Sequence, residues 1–133
     1  MEWAENLSVG VDSIDGQHKE LIKKTNEFTQ AMKAGSGKQE VLKIMDFLAQ
    51  YVVTHFRDEE ALQIRSNYPK YQEHRKIHMD FIADVERMRK EIEGSGMTVA
   101  TNLMVGSTLS NWLITHITRH DRELGAYIRN IGA

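Results

Sequence analysis

The sequence contains no cysteine, which removes disulfides, thiolate zinc sites, iron–sulfur clusters and thiol catalysis together. Any metal must be held by histidine and carboxylates. Proline occurs once, at Pro69, so long helices can run with little interruption. No apolar run approaches the roughly 20 residues that span a bilayer, and the opening Met1-Glu2-Trp3-Ala4-Glu5-Asn6 lacks the basic, apolar, small-residue order of a signal peptide. A cytoplasmic protein without a membrane partner is the expectation. Neither sign of charge dominates: 17 Lys and Arg face 19 Asp and Glu, a net charge of −2, with no basic block to engage phosphates. Nucleic acid is not an expected partner. Sustained period-2 alternation, glycine turns between β-branched runs and low-complexity segments are also missing, which removes the main signs of a sheet.

What remains is 133 residues, 41% of them hydrophobic, enough for one core and an expected single domain over 1–133. Three breakers, Gly35-Ser36-Gly37, Pro69 and Gly94-Ser95-Gly96, divide the chain. The intervening stretches of good helix formers predict helices at about 12–34, 38–65, 69–93 and 98–130. Short connections make neighbouring helices antiparallel, so the predicted fold is all-α, an up-down-up-down four-helix bundle.

The helical stripes carry an anomaly. Apolar residues spaced alternately three and four apart must face a core, yet the stripe of the second segment reads Val41, Met45, Leu48, Val52, His55, Glu59, Leu62. The third reads Tyr71, His74, His78, Phe81, Val85, Met88, Ile92, and the first Ile14, His18, Leu21, Thr25, Phe28, Met32. The fourth runs Val105, Leu109, Trp112, His116 and then divides. It either continues at i+4 to His120, or jumps five residues to Asp121 and resumes at Leu124, Ile128 and Ile131, as a π-bulge or a break would allow.

A lone buried histidine is more often a hydrogen-bonded core residue than a ligand. Here the polar interruptions converge. His18 lies near the start of its helix, His55 and Glu59 near the end of theirs, His74 and His78 near a start and His116 far along the last, so antiparallel packing gathers them at one end. Residues four apart on a helix differ by only about 40° in direction, so each i, i+4 pair can aim at one centre. A buried unpaired carboxylate costs several kcal/mol, whereas a metal cation supplies the missing charge. The donors are too many for one tetrahedral zinc and suit two metals, with more imidazole and less carboxylate than ferritin-like di-iron bundles. A haem held by His and one of the seven Met fits less well, since Met45 and Met88 sit on apolar stripes. A copper pair would leave the carboxylates without a role.

Trp3, the segment Val9-Gly10-Val11-Asp12-Ser13-Ile14-Asp15-Gly16-Gln17-His18, His55-x-x-x-Glu59, His74-x-x-x-His78 and His116-x-x-x-x-Asp121 together resemble the hemerythrin family in its single-domain bacterial form. The resemblance spans nearly the whole chain. It implies two iron ions joined by a bridging oxo or hydroxo group, one bound by His74, His78 and His116, the other by His18 and His55, with Glu59 and Asp121 bridging. Two six-coordinate irons offer about twelve positions, and this set fills about eleven. The open position, on the iron of His18 and His55, is where the resemblance places dioxygen, bound reversibly. It also selects Asp121 over His120, leaving His120 solvent-facing or beside a ligand.

The residues expected to line a dry oxygen pocket are Leu21, Phe56, Trp112, Leu113 and Ile117. The implied function is oxygen carriage, storage or delivery to oxygen-using proteins, without enzymatic turnover. The alternatives are an oxygen- or redox-sensing domain, and a di-iron peroxidase or nitric-oxide-handling protein.

Overall fold

The computed structural model describes residues 2–35, 38–95 and 99–131, with the side chains of 95 and 99–104 excepted. A single 3₁₀ turn, Glu5–Leu7, precedes α1 (Asp12–Lys33), α2 (Lys38–Arg65), α3 (Tyr71–Ser95) and α4 (Val99–Thr115). A π-helical segment, His116–Asp121, then joins α4 to α5 (Arg122–Asn130). α4, the π segment and α5 together form the fourth helix of a four-helix bundle, and no strand occurs among the described residues. α1 packs on α2 and α4, and α2 packs on α3. Among the described residues no helix is long and apolar enough to cross a membrane.

Two boundaries differ from the sequence expectation. α3 begins at Tyr71 rather than 69 because α2 ends in a Schellman motif that needs the intervening residues. Asn67 adopts φ +56°, its N–H bonds the Ile64 carbonyl at 3.2 Å, and the Tyr68 N–H reaches back to Gln63 O at 2.9 Å. Pro69 follows and stops any continuation. At the other end α3 runs on through Gly94 to Ser95. Ser36, Gly37 and Gly96 lie outside the described residues.

The π segment decides the ambiguity of the fourth stripe. In an α-helix, residues five apart diverge by about 140°, whereas i→i+5 bonding returns them to one face. His116 and Asp121 are accordingly both buried, and His120 is left half-buried beside them. Leu124 and Ile128 resume the core, but Ile131 is 49% exposed and does not extend the stripe.

Two apolar clusters bracket the polar stripe positions. Most of the bundle, including Leu21, Phe28, Met45, Phe56, Phe81, Leu109 and Leu113, forms one cluster; Val9, Ile14, Tyr68, Leu124 and Ile128 form a smaller cap at one end. Along the chain the histidines and carboxylates lie between the two: His18 between Ile14 and Leu21, His74 and His78 between Tyr68 and Phe81, and Asp121 between Ile117 and Leu124. The cap is tied down by Asp15, whose carboxylate accepts the Val9 N–H at 2.9 Å and the Ser8 hydroxyl at 2.5 Å. The lead-in to α1 is thereby folded against the helix that carries His18.

Candidate metal centre

Seven polar side chains meet in the layer between the clusters. His18 comes from α1, His55 and Glu59 from adjacent turns of α2, His74 and His78 from adjacent turns of α3, and His116 and Asp121 from the two ends of the π segment. None is more than 3% exposed. Their ligand-type atoms form two overlapping groups: Glu59, His74, His78, His116 and Asp121 in one, and His18, His55, Glu59 and Asp121 in the other. Both carboxylates belong to both groups.

The carboxylates divide their oxygens between the groups. Glu59 Oε1 lies 2.9 Å from His74 Nε2 and 3.3 Å from His78 Nε2, while its Oε2 lies 3.3 Å from His55 Nε2. Asp121 Oδ1 lies 3.0 Å from His74 Nε2 and 3.1 Å from His116 Nε2, while its Oδ2 lies 2.7 Å from His18 Nε2. Glu59 therefore faces three imidazoles with one oxygen and one with the other, and Asp121 faces two with each.

The donor set fits cations better than it fits itself. His116 Nε2 stands 3.1 Å from His78 Nε2 and 3.3 Å from His74 Nε2, close to the spacing of about 3.0 Å between neighbouring ligands around an octahedral ion with bonds of about 2.1 Å. Both oxygens of Glu59, Oδ1 of Asp121 and Nε2 of His55 are buried with no hydrogen-bond partner. Burial pushes the His55 imidazole down to about 4 against the pull of both carboxylates, keeping it neutral and free to donate its lone pair. Burial also opposes charge on His74 and His116, but the close Asp121 and Glu59 carboxylates raise them to about 8 and 9. Burial and mutual repulsion work against ionisation of the two acids, yet the imidazoles around them hold both below the ordinary carboxylate range.

These directions predict a proton count. Without metal, His74 and His116 carry protons at pH 7, and a cation must displace both. Metal binding at pH 7 is expected to release up to about two protons per chain from this pair, and progressively fewer as the pH rises through 8 and 9, so affinity rises with pH across that interval. Calorimetric titration in buffers of different ionisation enthalpy measures the count; a release independent of pH would contradict it.

The outward nitrogens are held in different ways. His55 Nδ1 lies 2.6 Å from Gln17 Oε1, and the Gln17 amide donates to Asp58 at 2.8 Å. His78 Nδ1 meets the Glu60 carboxylate at 3.0 Å, and His74 Nδ1 meets the Gln63 amide at 3.0 Å. Gln63 is fully buried with its Oε1 unpartnered, so a half-turn of the amide gives His74 Nδ1–H its acceptor once Nε2 is engaged. Flat rings clamp two of the imidazoles: Phe56 stacks on His78 at 3.7 Å and 1°, and Trp112 on His116 at 4.5 Å and 12°.

Residues 9–128 match the model of the family described as the hemerythrin HHE cation binding domain. The chain is 30% identical over 127 residues to a bacteriohemerythrin of Stenotrophomonas maltophilia (strain R551-3), covering 96% of this chain and 80% of that protein. It is 31% identical over 119 residues to a bacteriohemerythrin of Pseudomonas aeruginosa (strain LESB58), covering 90% and 75% respectively. A myohemerythrin of Riftia pachyptila is 25% identical over 115 residues, 86% of this chain and 82% of that one. The chain belongs to the hemerythrin family.

A small cavity of about 10 Å³ adjoins the centre, with His55 and His116 in its wall. Of the residues expected to line an oxygen pocket, Leu21, Phe56, Trp112 and Leu113 are in the wall of this cavity, and Ile117, fully buried, is not. Thr25, Leu48, Val52, Phe81 and Leu109 complete the wall. They escaped the sequence reading because they lie further along the core, where ordinary stripe residues and pocket residues look alike. Gln17, Glu60 and Gln63 escaped it too, since an outward imidazole partner follows no period. The one available signal was Gln63, a polar residue beside Leu62 at the core-facing edge of α2. Leu62 is only partly buried, and Gln63 takes the interior.

Proposed function

We propose that this chain binds dioxygen reversibly at a non-haem di-iron centre and serves to carry, store or deliver it to oxygen-using proteins. The observation that carries this reading is the division of Glu59 and Asp121, each with one oxygen on the three-imidazole group and the other on the two-imidazole group. His74, His78 and His116 would hold one iron, His18 and His55 the other, with both acids and an oxo or hydroxo group between them. When bound, the iron pair supplies reversible transfer of electrons to dioxygen.

The protein's part is positioning and exclusion. Having fewer anionic than imidazole donors favours the ferrous form and suits a small neutral ligand. The group with fewer imidazoles would leave its metal the unfilled position, and His55 of that group borders the apolar cavity. Its lining residues include no ionisable side chain besides His55 and His116, which supports binding over acid–base turnover. A cavity of about 10 Å³ is at the lower limit for one water, and its apolar walls give a water few partners. Leu113→Ala is expected to widen it and hasten oxidation to the unreactive diferric form by about tenfold; an unchanged autooxidation rate in air would show that this side chain does not guard the centre.

The direct experiment is metal analysis paired with visible absorption on the dithionite-reduced protein, first without air, then with oxygen, then with oxygen removed. Two irons per chain and a colour that appears and reverses support the proposal. Two irons that oxidise rapidly and irreversibly would favour the sensor or enzyme alternatives, and a chain without iron would overturn the centre.

A further inference from the structure

His120 belongs to neither donor group, yet it is half-buried against them, with its ring 6.1 Å from that of His74 and 5.6 Å from that of His116. It lines, with Tyr68, Lys70, Glu73, Ile77 and Glu123, a partly open pocket of about 110 Å³ that reaches His74. The same π turn that carries Asp121 inward delivers His120 to this pocket. We propose that the pocket is the passage by which ferrous ions reach and leave the centre, with His120 as a transient ligand between solvent and His74. The proposal rests on the di-iron reading above.

Two cavities among the described residues touch the centre and differ in what they can pass. A hydrated divalent cation gives up water only to replacement oxygen or nitrogen donors. The small cavity beside His55 and His116 is walled otherwise by Leu, Val, Phe and Trp and by Thr25, whose hydroxyl is given to the Leu21 carbonyl, and a charge crossing it would lose several kcal/mol to desolvation. It suits dioxygen and resists ions. The pocket at His120 offers a graded series of donors instead. Glu73 and Glu123 sit at its wall, Lys70 neutralises part of the charge of Glu123, and Glu73 therefore supplies most of the attraction. An imidazole, which suits ferrous iron, comes next at His120, and His74 follows. From His74 Nε2 the two bridging carboxylates are 2.9 and 3.0 Å away. Each transfer is a ligand exchange in which one donor's lone pair replaces a water or the preceding donor, and no electron changes hands.

The passage used for release is the one used for loading, so the test can be made on the loaded protein. Ferrous protein is mixed anaerobically with excess ferrous chelator and the rate of iron transfer is followed. His120→Ala is expected to slow release about tenfold, the low end of what loss of a supporting residue costs a metal site. Ile77→Trp, which fills the pocket and alters no donor, should slow it as well. Both variants should still hold two irons per chain, and Leu113→Ala on the apolar side should release at the wild-type rate. Unchanged release in both pocket variants, or equal slowing by Leu113→Ala, would overturn the passage. Slowing by Ile77→Trp alone would overturn the role of His120. A wild-type chain with no iron would fail earlier, at the di-iron reading itself.

Discussion

Asp121→Ala is expected to lose nearly all bound iron, while His120→Ala, one residue away, keeps two irons per chain. Asp121 is fully buried and touches both donor groups, with one oxygen 3.0 Å from His74 and 3.1 Å from His116 and the other 2.7 Å from His18. Removing it takes away a bridge and half the negative charge among the donors, leaving five imidazoles to hold two cations with Glu59 alone. The loss should exceed the roughly 10–100-fold in affinity that follows deletion of an outer partner. Asp121→Asn separates charge from space: it keeps the volume but offers only one carbonyl oxygen, so it too should fail to hold the pair. Inductively coupled plasma analysis of the three variants reads the outcome. Equal iron loss from His120→Ala and Asp121→Ala would mean that the last helix presents the wrong residue.

Gly125→Ala is expected to destabilise the fold by about 2–3 kcal/mol, lowering the melting temperature by roughly 8–12 °C for a chain of this size. In an open helix the same change gains up to about 1 kcal/mol. At Gly125 a Cβ would sit 2.1 Å from the Val9 carbonyl oxygen and 2.9 Å from Val9 Cβ. Val9 cannot retreat, because its N–H is bonded to Asp15 and its carbonyl accepts Arg129 Nη1 at 3.0 Å. The clash is therefore with anchored backbone, next to the helix that carries His18. Gly106→Ala is the matched control, since nothing lies within 4 Å of the added methyl, and it should leave the melting temperature equal or raised. Calorimetry on the two variants decides it; similar effects at both sites would mean that helix propensity, and not the Val9 contact, governs Gly125.

The bundle and most of the donor set were legible because helical periodicity makes polar intruders visible. His55, Glu59, His74 and His78 stand out on otherwise apolar stripes whether or not the helices have been packed. Their shared height along the bundle follows from antiparallel order and short connections alone. The last helix was only half legible: a period of 3.6 predicts His120 after His116, and nothing local forces the five-residue step. Choosing Asp121 needed either the family resemblance or the π segment itself. Ile117 shows the complementary limit, since it neighbours His116 in the sequence and is fully buried, yet it is not among the residues lining the cavity.

By itself, then, the sequence determined the helical class, the absence of thiolate chemistry, and the candidate donors, since these depend on composition and on spacing within single helices. The tertiary structure alone decided how the donors divide. That Glu59 and Asp121 each face two groups, that Gln17, Glu60 and Gln63 hold the outward sides of His55, His78 and His74, and that an apolar cavity and a polar pocket meet the same centre all depend on contacts between helices. Such contacts are set by rotation and packing across the bundle, which no period along one helix encodes.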